Sequence, residues 1–510
     1  MLAQVVSAAV VGLEAVPVTV EVDIASQGLP SFTIVGLPDK AVEESKERVR
    51  SAIRNSGAEF PARRITVNLA PADLPKVGPS YDVPIALGIL VASGQLLHVP
   101  EGALFVGELS LDGSLRHTNG ILPIAMLANS QKTTALFIPA VNAKEAAVIT
   151  SLTVYPISSL LALFQHISET NEITPHPPVS FKQFEDTEKS DTDMADIVGQ
   201  NQAKRALEIA AAGGHNLYMQ GPPGAGKTML ARTLPSILPT LTQEEALEVT
   251  MIYSVTGNMP TGHSLITKRP FRAPHHTTSR IGLIGGGSIP TPGEISLAHR
   301  GVLFLDEFPE FPRHVLEALR QPLEDGVVTI SRARGSVSYP AKFTLIAAAN
   351  PCPCGNWGSD TRRCSCMPGA ISRYQKRISG PILDRIDLHV SVPSVSVEHL
   401  GSEHSAESSV HIRDRVQKAR NIQINRLQKY GLCSNAEMSS RQVREHCQLE
   451  TDAQTLLRQA LVRLRLSARS YHRLLKVART IGDLKGQSVI TVASLAEALQ
   501  YRNTSEEEKN

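Results

Sequence analysis

A glycine-rich loop between an apolar segment and a helix-like segment limits the folds open to this chain more than any other feature. Glycines let backbone amides face a phosphate group, and the start of a helix adds partial positive charge. The loop therefore predicts a nucleoside-triphosphate site in which Lys227 contacts the phosphates and Thr228 ligates Mg²⁺. The segment NLYMQ precedes the loop and TMLARTLPSIL overlaps its end, and the loop itself consists of Gly221, Pro222, Pro223, Gly224, Ala225, Gly226, Lys227 and Thr228.

Two further apolar segments end in polar residues that would complete such a site. GVLFLDE ends in Asp306 and Glu307, and FTLIAAAN ends in Asn350. Short strands that are apolar on both faces predict a parallel sheet covered by helices, and hence an α/β fold. We expect Asp306 to hold Mg²⁺, Glu307 to polarise the attacking water and Asn350 to orient water beside the γ-phosphate, although an Asn-Pro pair also begins ordinary turns.

The length and local composition of the chain predict several domains. A chain of 510 residues is long enough for about three. Residues 1–165 alternate strand-like and helix-like segments, 166–194 form a linker rich in proline, serine and acidic residues, and 195–394 carry the nucleotide motifs. Residues 409–502 are helical and basic. This basic block is compatible with nucleic acid, although a solvated helix surface is the better explanation of charge alone.

The composition favours a cytoplasmic protein with no membrane partner. No apolar run is long enough to cross a bilayer, and the N-terminal segment lacks the basic leader of a signal peptide. Six cysteines in a chain of this size do not indicate a disulfide framework.

Four of these cysteines form a separate pattern inside residues 352–366. Cys352 and Cys354 make one CxC pair, and Cys364 and Cys366 make a second. Four thiolates at this spacing predict a tetrahedral, structural Zn²⁺ site with no open ligand position. Four reduced cysteines in a loop remain the alternative.

Together the motifs look like those of an AAA+ ATPase, and three longer runs are more specific. These runs resemble the magnesium-chelatase-like ComM (YifB) family of bacteria, and the resemblance covers nearly the whole chain. It implies an AAA+ P-loop core with a helical lid that uses ATP and Mg²⁺. It also implies a homo-hexameric motor on branched, single- or double-stranded DNA that promotes branch migration during natural transformation. The runs are RPFRAPHH at 269–276, PGEISLAH at 292–299 and LRQPLEDG at 319–326.

The resemblance also assigns roles to residues outside the phosphate loop. Arg385 matches the arginine finger that reaches the nucleotide of a neighbouring subunit, so it implies an oligomer. Arg469 matches the second sensor of the helical lid, with Arg473 one turn away as a rival. Ile197 and Val198 match the segment that lies near the adenine.

Two loops are candidates for contact with DNA. Alternating β-forming residues on both sides of Ala333-Arg334-Gly335 predict a hairpin. In the related motors such a hairpin points into the central pore, which would bring Arg332 and Arg334 to DNA phosphates. A glycine-rich run at 282–288 resembles a second pore loop. Ordinary solvent-exposed loops remain the alternative for both.

The N-terminal region resembles the proteolytic domain of the Lon family. Gly78-Pro79-Ser80 matches the nucleophile segment, and Leu122 stands at the position of the lysine base. Leucine cannot accept a proton, and nothing in the sequence gives Lys76 that role, so we expect no peptidase activity. An assembly ring or a collar that contacts DNA is the expected function of this domain.

Two other functions stay open at this level. The ATPase core is also similar to the ATPase subunit of a magnesium chelatase. An ATP-dependent, Lon-like protease is the third possibility.

Overall fold

The computed structural model divides the chain into two compact units. The first comprises residues 1–187 together with 246–267, and the second comprises 188–245 together with 268–510. The structure describes residues 2–181, 192–260, 262–287, 290–332, 335–358, 362–394, 407–464 and 466–502. Of the predicted site residues, Arg334 lies outside these ranges.

The first unit contains two sheets and one hairpin. A four-stranded sheet has the order β1-β2-β4-β3, in which only β3 and β4 are parallel. A parallel sheet has the order β5-β8-β9, and β6 pairs with β7. The strands are β1 (Leu2–Val11), β2 (Glu14–Ile24), β3 (Ser31–Val35), β4 (Arg64–Ala70), β5 (Ala103–Phe105), β6 (Glu108–Leu109), β7 (Leu115–Arg116), β8 (Ala135–Pro139) and β9 (Val154–Ile157).

Five helices of this unit follow from local sequence signals. The helix α1 begins after Asp39, whose carboxylate accepts a hydrogen bond from the Val42 amide as an N-cap. The helix α2 is apolar on all sides and lies within the core, where Gly88 lets Val22 approach closely. The helices are α1 (Lys40–Asn55), α2 (Asp82–Ala92), α3 (Ile121–Ser130), α4 (Ala143–Ala146) and α5 (Leu160–Ile167).

The second unit is built on a five-stranded parallel sheet. Its order is β11-β14-β17-β10-β18, and every pair in it is parallel. Two short antiparallel pairs, β12–β13 and β15–β16, lie outside this sheet. The strands are β10 (Leu217–Gln220), β11 (Phe271–Arg272), β12 (Gly285–Gly286), β13 (Thr291–Pro292), β14 (Val302–Leu305), β15 (Val327–Arg332), β16 (Gly335–Pro340), β17 (Thr344–Ala349) and β18 (Leu388–Ser391).

Helices cover the sheet and form the C-terminal part of the second unit. Residues of α8 from Ala246 onward are grouped with the first unit. The helices are α6 (Asn201–Gly213), α7 (Lys227–Ile237), α8 (Gln243–Thr256), α9 (Arg280–Ile284), α10 (Glu294–Leu297), α11 (Arg313–Glu317), α12 (Arg320–Asp325), α13 (Pro368–Gln375), α14 (Gly380–Leu383), α15 (Ser409–Leu427), α16 (Ser440–His446), α17 (Thr451–Arg463), α18 (Ala468–Leu484) and α19 (Val492–Gln500).

One apolar core joins this sheet to the C-terminal helices. Met219 and Ile346 of the sheet belong to the same buried cluster as Val416 of α15 and Ile481 of α18. The predicted α/β fold with a parallel sheet and a helical C-terminal part is therefore confirmed. Among the described residues, none of the helices has both the length and the apolar character that a bilayer crossing requires.

Candidate active site

Three sheet strands deliver the predicted nucleotide-site residues to one edge. The strand β10 ends directly before Gly221, β14 before Asp306, and β17 before Asn350. Because these strands are parallel neighbours, their carboxyl ends lie together. Gly221 is required here, since a Cβ on it would lie 2.1 Å from the carbonyl oxygen of Val392.

Inside the loop, the Lys227 ammonium group is enclosed by oxygen acceptors. It donates hydrogen bonds to the carbonyl oxygens of Gly221 (2.6 Å) and Pro222 (2.9 Å) and to Asn350 Oδ1 (3.1 Å). Burial lowers the pKa of Lys227, and the charge of Asp306 opposes that shift. The structure thus brings Lys227 and Asn350, which are far apart in the sequence, into direct contact.

The predicted magnesium ligands also meet. Thr228 Oγ1 donates to Asp306 Oδ2 at 2.7 Å. A hydroxyl and a carboxylate oxygen at this separation are the hard ligands that Mg²⁺ takes beside phosphates. The residues present therefore fit a bound Mg²⁺.

Glu307 has a partner that the sequence reasoning did not assign. Its Oε2 lies 2.8 Å from Nδ1 of His276, which follows β11 on the neighbouring strand of the sheet. Glu307 itself has a left-handed backbone, with φ of 50°. His276 is the last residue of the run RPFRAPHH, which carries the family resemblance. This run is the feature of the sequence that points to His276.

The segment expected near the adenine touches the phosphate loop. Ile197 is buried and Val198 is half-buried. Two residues further on, Gln200 Nε2 donates to the Pro393 carbonyl (2.6 Å) and contacts the Ala225 carbonyl (3.4 Å). This places the segment beside the loop, on the side of Ala225.

The four cysteines converge in the manner expected for a metal ligand set. Their Sγ atoms all lie within 4.8 Å of one another, and three of the separations are 3.4, 3.6 and 3.7 Å. A tetrahedral site with Zn–S bonds of about 2.3 Å has S···S edges of about 3.8 Å. The residues therefore fit Zn²⁺ with no open position. They are Cys352, Cys354, Cys364 and Cys366.

Backbone amides support the sulfur atoms of this cluster. The amide of Trp357 donates to Cys352 Sγ at 3.3 Å, and the amide of Cys366 donates to Cys364 Sγ at 3.4 Å. The amides of Asn356 and Ser365 lower the pKa of Cys354 to about 5, whereas the pKa of Cys364 and that of Cys366 are raised by burial and by hydrogen bonds among the thiols, so one thiolate is favoured in the cluster.

The described part of the segment that carries the cysteines, residues 351–358 and 362–366 and here called the cysteine loop, lies against the phosphate loop. A Cβ on Gly355 would lie 2.4 Å from Cδ of Pro223, so the two loops pack too closely at this point for any side chain larger than that of glycine. The cysteine loop also begins one residue after Asn350. It therefore touches the nucleotide site on two sides.

Arg385 and Arg469 lie at the opposite edge of the sheet. Both line a cleft of about 860 Å³ that also includes Asn216, Gly301 and Asp387, residues that directly precede strands β10, β14 and β18. Gly221 follows Asn216 by five residue steps, which is roughly 16 Å of extended chain. The sheet therefore stands between these arginines and the phosphate loop of the same chain.

A single carboxylate joins the two arginines. Glu324 Oε1 lies 2.8 Å from one terminal nitrogen of Arg385 and 2.7 Å from one of Arg469. The rival Arg473 has other partners, since it donates to the carbonyl oxygen of Asp384 and lies 3.7 Å from Asp387 Oδ1. This shared contact favours Arg469 over Arg473 as the partner of Arg385.

The predicted hairpin is present as β15 and β16. Arg332 is exposed at the end of β15 and pairs with Gly335 across the hairpin. A Cβ on Gly286 of the glycine-rich run would lie 3.1 Å from a terminal nitrogen of Arg332, and Tyr339 donates to the Pro290 carbonyl at 2.7 Å. The two candidate DNA loops are therefore packed on each other.

In the first unit, Lys76 and Leu122, the two positions weighed for a proteolytic base, are both buried. The Lys76 ammonium group is buried and donates to the carbonyl oxygen of Pro71. Leu122 is buried and its amide donates to Glu145 Oε1 at 3.1 Å. Neither of these contacts brings a basic group to Ser80.

The motif runs behind the family resemblance form contacts with one another. Arg272 of RPFRAPHH makes a bidentate ion pair with Glu294 of PGEISLAH, at 2.6 and 2.7 Å. His299 of the same run accepts a hydrogen bond from the Lys342 amide at 3.1 Å. The ion pair therefore joins α10 to β11, the edge strand of the central sheet.

Comparison with family models gives three matches that together cover most of the chain. Residues 193–400 match the family described as magnesium chelatase, subunit ChlI, and 406–502 match its C-terminal family. Residues 20–142 match the family described as subunit ChlI of Mg-chelatase. The fold and these matches define a magnesium-chelatase-like AAA+ protein, a class of ATPases that works with ATP and Mg²⁺.

Relatives that match nearly the whole chain show which family within this class it belongs to. Competence protein ComM of Haemophilus influenzae is 47% identical over 98% of this chain and 97% of its own length. YifB of Escherichia coli is 44% identical over 97% of this chain and 96% of its own length. The magnesium-chelatase 38 kDa subunit of Rhodobacter capsulatus is 27% identical over only 30% of this chain. The chain belongs to the ComM (YifB) family.

Proposed function

We propose that this chain is an ATP-driven DNA motor that works as a homo-hexameric ring in the cytoplasm. It promotes branch migration of recombination intermediates during natural transformation. One observation carries the proposal: the nucleotide residues and the two arginines lie at opposite edges of one parallel sheet. A head-to-tail ring of identical subunits brings the second edge of one copy to the first edge of the next.

The catalytic roles follow from this division of the site. Lys227 binds the β- and γ-phosphates, Thr228 and Asp306 hold Mg²⁺, and Glu307 polarises the attacking water with Asn350 beside the γ-phosphate. Ile197 and Val198 border the adenine. Arg385 and Arg469 of the neighbouring subunit stabilise charge on the transferring phosphoryl group. Bound Mg²⁺ supplies further charge neutralisation to the same phosphates.

The hairpin of β15 and β16 supplies the DNA contact. Its exposed face carries two cross-strand hydroxyl pairs, Thr329 with Ser338 at 3.1 Å and Ser331 with Ser336 at 3.0 Å, and Arg332 near the turn. Hydroxyl and guanidinium groups are common donors to DNA phosphates, and such contacts carry no base sequence. Arg334 has the same proposed role. These contacts support movement along DNA of any sequence.

The cysteine cluster completes the cofactor set with a structural Zn²⁺. The cysteine loop is polar and short of apolar residues, so it gains little order from burial alone. A bound metal fixes the loop and, through it, the neighbouring phosphate loop.

The decisive test compares wild type with Lys227→Ala on a three-stranded branched DNA. We expect ATP turnover and branch movement to fall together by about a hundredfold or more, because the phosphates lose their main cation. Lys376→Ala, a change of an exposed lysine in the same unit, serves as the control and keeps both activities. Branch movement with ATP in Lys227→Ala would refute the motor assignment.

A magnesium-chelatase ATPase subunit is the second candidate. The partial similarity to the 38 kDa subunit favours it, since that similarity covers 30% of this chain. DNA separates the two functions, because a motor is stimulated by its track. ATP turnover that no DNA structure stimulates would favour the chelatase function.

A peptidase is not proposed for the first unit. Leu122 cannot accept a proton and Lys76 donates to the Pro71 carbonyl, so we propose that this unit serves in ring assembly or in contacting DNA instead. Cleavage of an unfolded protein that Ser80→Ala abolishes would contradict this view.

A further inference from the structure

Glu324 is an acidic group that pairs with two arginines at once. It projects from the last turn of α12 into a cleft lined by eight arginine and lysine side chains and, besides Glu324 itself, by four acidic ones. One of its oxygens, Oε1, forms an ion pair with a guanidinium nitrogen of Arg385 and a second ion pair with one of Arg469. The basic side chains of the lining are Arg269, Arg300, Lys342, Arg385, Arg420, Arg469, Arg473 and Lys476.

The two arginines differ in how firmly they are held. The side chain of Arg385 is only 9% exposed and also donates to the Pro381 carbonyl at 2.6 Å. Arg469 is 50% exposed, and Glu324 is its ion-pair partner. Two guanidinium groups this close repel each other, and the carboxylate between them offsets that repulsion.

Arg385 also has one unpaired hydrogen-bond donor. Its Nε is buried and has no acceptor among the described residues. A buried N–H of this kind gains a full hydrogen bond when an acceptor arrives. A carboxylate that touches one nitrogen of each arginine leaves this donor unused, whereas a phosphate offers three oxygens to the same group.

The carboxylate is ionised and able to move. Partial burial opposes its ionisation, but the hydrogen bond and charge of Arg385, with the charge of Arg469, lower the pKa of Glu324. Its side chain is 36% exposed, so it can turn into water without losing solvation. An ionised, part-exposed carboxylate between two arginines resembles one oxygen of a phosphate.

We propose that Glu324 occupies, in a subunit without a neighbour's nucleotide, the place between Arg385 and Arg469 that a phosphate oxygen of that nucleotide takes. This inference rests on the shared ATP site of the proposed function. Nucleotide binding at the subunit interface exchanges one anion for the other. Glu324 therefore acts as a positioning residue that competes with ATP and keeps the two arginines assembled between turnovers.

The test is the ATP dependence of steady-state turnover in Glu324→Gln, which removes the charge and keeps the shape. We expect KM for ATP to fall about fivefold and kcat to stay within about twofold. In this variant no carboxylate has to leave the two arginines before a phosphate oxygen of ATP can bind them. Glu324→Asp, with its carboxylate drawn back, gives an intermediate KM and serves if the glutamine variant unfolds. Glu317→Gln is the matched control, since it removes the same charge from the preceding helix, where the partner is Arg320.

The outcomes are distinct. An unchanged or higher KM with a lower kcat in Glu324→Gln would overturn the exchange and make Glu324 a fixed support. Arg385→Ala is measured alongside, with an expected fall in kcat of about a hundredfold or more. If Arg385→Ala turns over like wild type, the shared site of the proposed function fails, whatever Glu324 does.

Discussion

Gly355 of the cysteine loop lies directly against Pro223 of the phosphate loop. The backbone of Gly355 is left-handed, with φ of +79°, and a Cβ there would lie 2.4 Å from Pro223 Cδ. The segment that carries the four-cysteine cluster thus packs against the phosphate loop. We therefore expect nucleotide affinity to depend on Gly355, although this residue has no side chain that could take part in catalysis.

Gly355→Ala should weaken ATP binding by about tenfold, because the new methyl group forces the two loops apart. Gly358→Ala is the matched control. Its φ is also left-handed, at +76°, but nothing lies within 4 Å of the position. Both variants carry the same backbone strain, so equal ATP affinities in the two, measured by titration of a fluorescent nucleotide, would contradict the contact.

Removal of the metal should have a larger effect on the same site. Cys364→Ser takes one thiolate from the set, and we expect bound zinc to fall from about one per chain to near zero. ATP affinity should fall with it, since the cysteine loop no longer braces Pro223. The measurements are metal content and nucleotide titration, and Cys433→Ser, outside the cluster, is the control. Full ATP affinity in a metal-free variant would show that the two loops are independent.

The pair of His276 and Glu307 predicts non-additive kinetics. Glu307→Gln should reduce kcat by about a hundredfold or more while ATP still binds. His276→Ala should reduce kcat less, and should add little in the Glu307→Gln background, because it acts through Glu307. His275→Ala is the neighbouring control, since His275 lies 2.9 Å from Thr277 instead. Additive losses in the double variant would assign His276 a separate role.

Arg332→Ala should weaken DNA binding without changing ATP turnover in the absence of DNA. The loss of one phosphate contact reduces the salt dependence of binding by about one unit of slope. The check is DNA affinity at several salt concentrations, with Arg313→Ala as a control at an exposed arginine of the same unit. A loss confined to particular DNA sequences would indicate base contacts in place of phosphate contacts.

The nucleotide edge was predictable from the sequence because strand ends carry the information. Lys227, Asp306 and Asn350 each follow or precede a short apolar segment, and parallel strands bring such ends together. The four cysteines were predictable for a similar reason, since their spacing is local.

Contacts between distant segments were not predictable in this way. Glu324 and His276 lie in the runs LRQPLEDG and RPFRAPHH, yet no spacing rule connects them to Arg385 and Glu307. The position of Arg385 at the far edge of the sheet depends on the register of β18 with β10. Only tertiary packing determines that register.

A mixing experiment tests most directly whether one ATP site is built from two copies of this chain. Lys227→Ala lacks the phosphate cation but keeps Arg385, whereas Arg385→Ala has the opposite defect. Each variant alone should be nearly inactive with branched DNA. In an equal mixture that assembles at random, roughly a quarter of the interfaces pair an intact phosphate loop with an intact arginine.

We therefore predict that the mixture recovers DNA-stimulated ATP turnover that neither variant shows alone. Co-purification through different tags verifies that the two variants share rings. Mixed rings with no more activity than the separate variants would contradict the shared site.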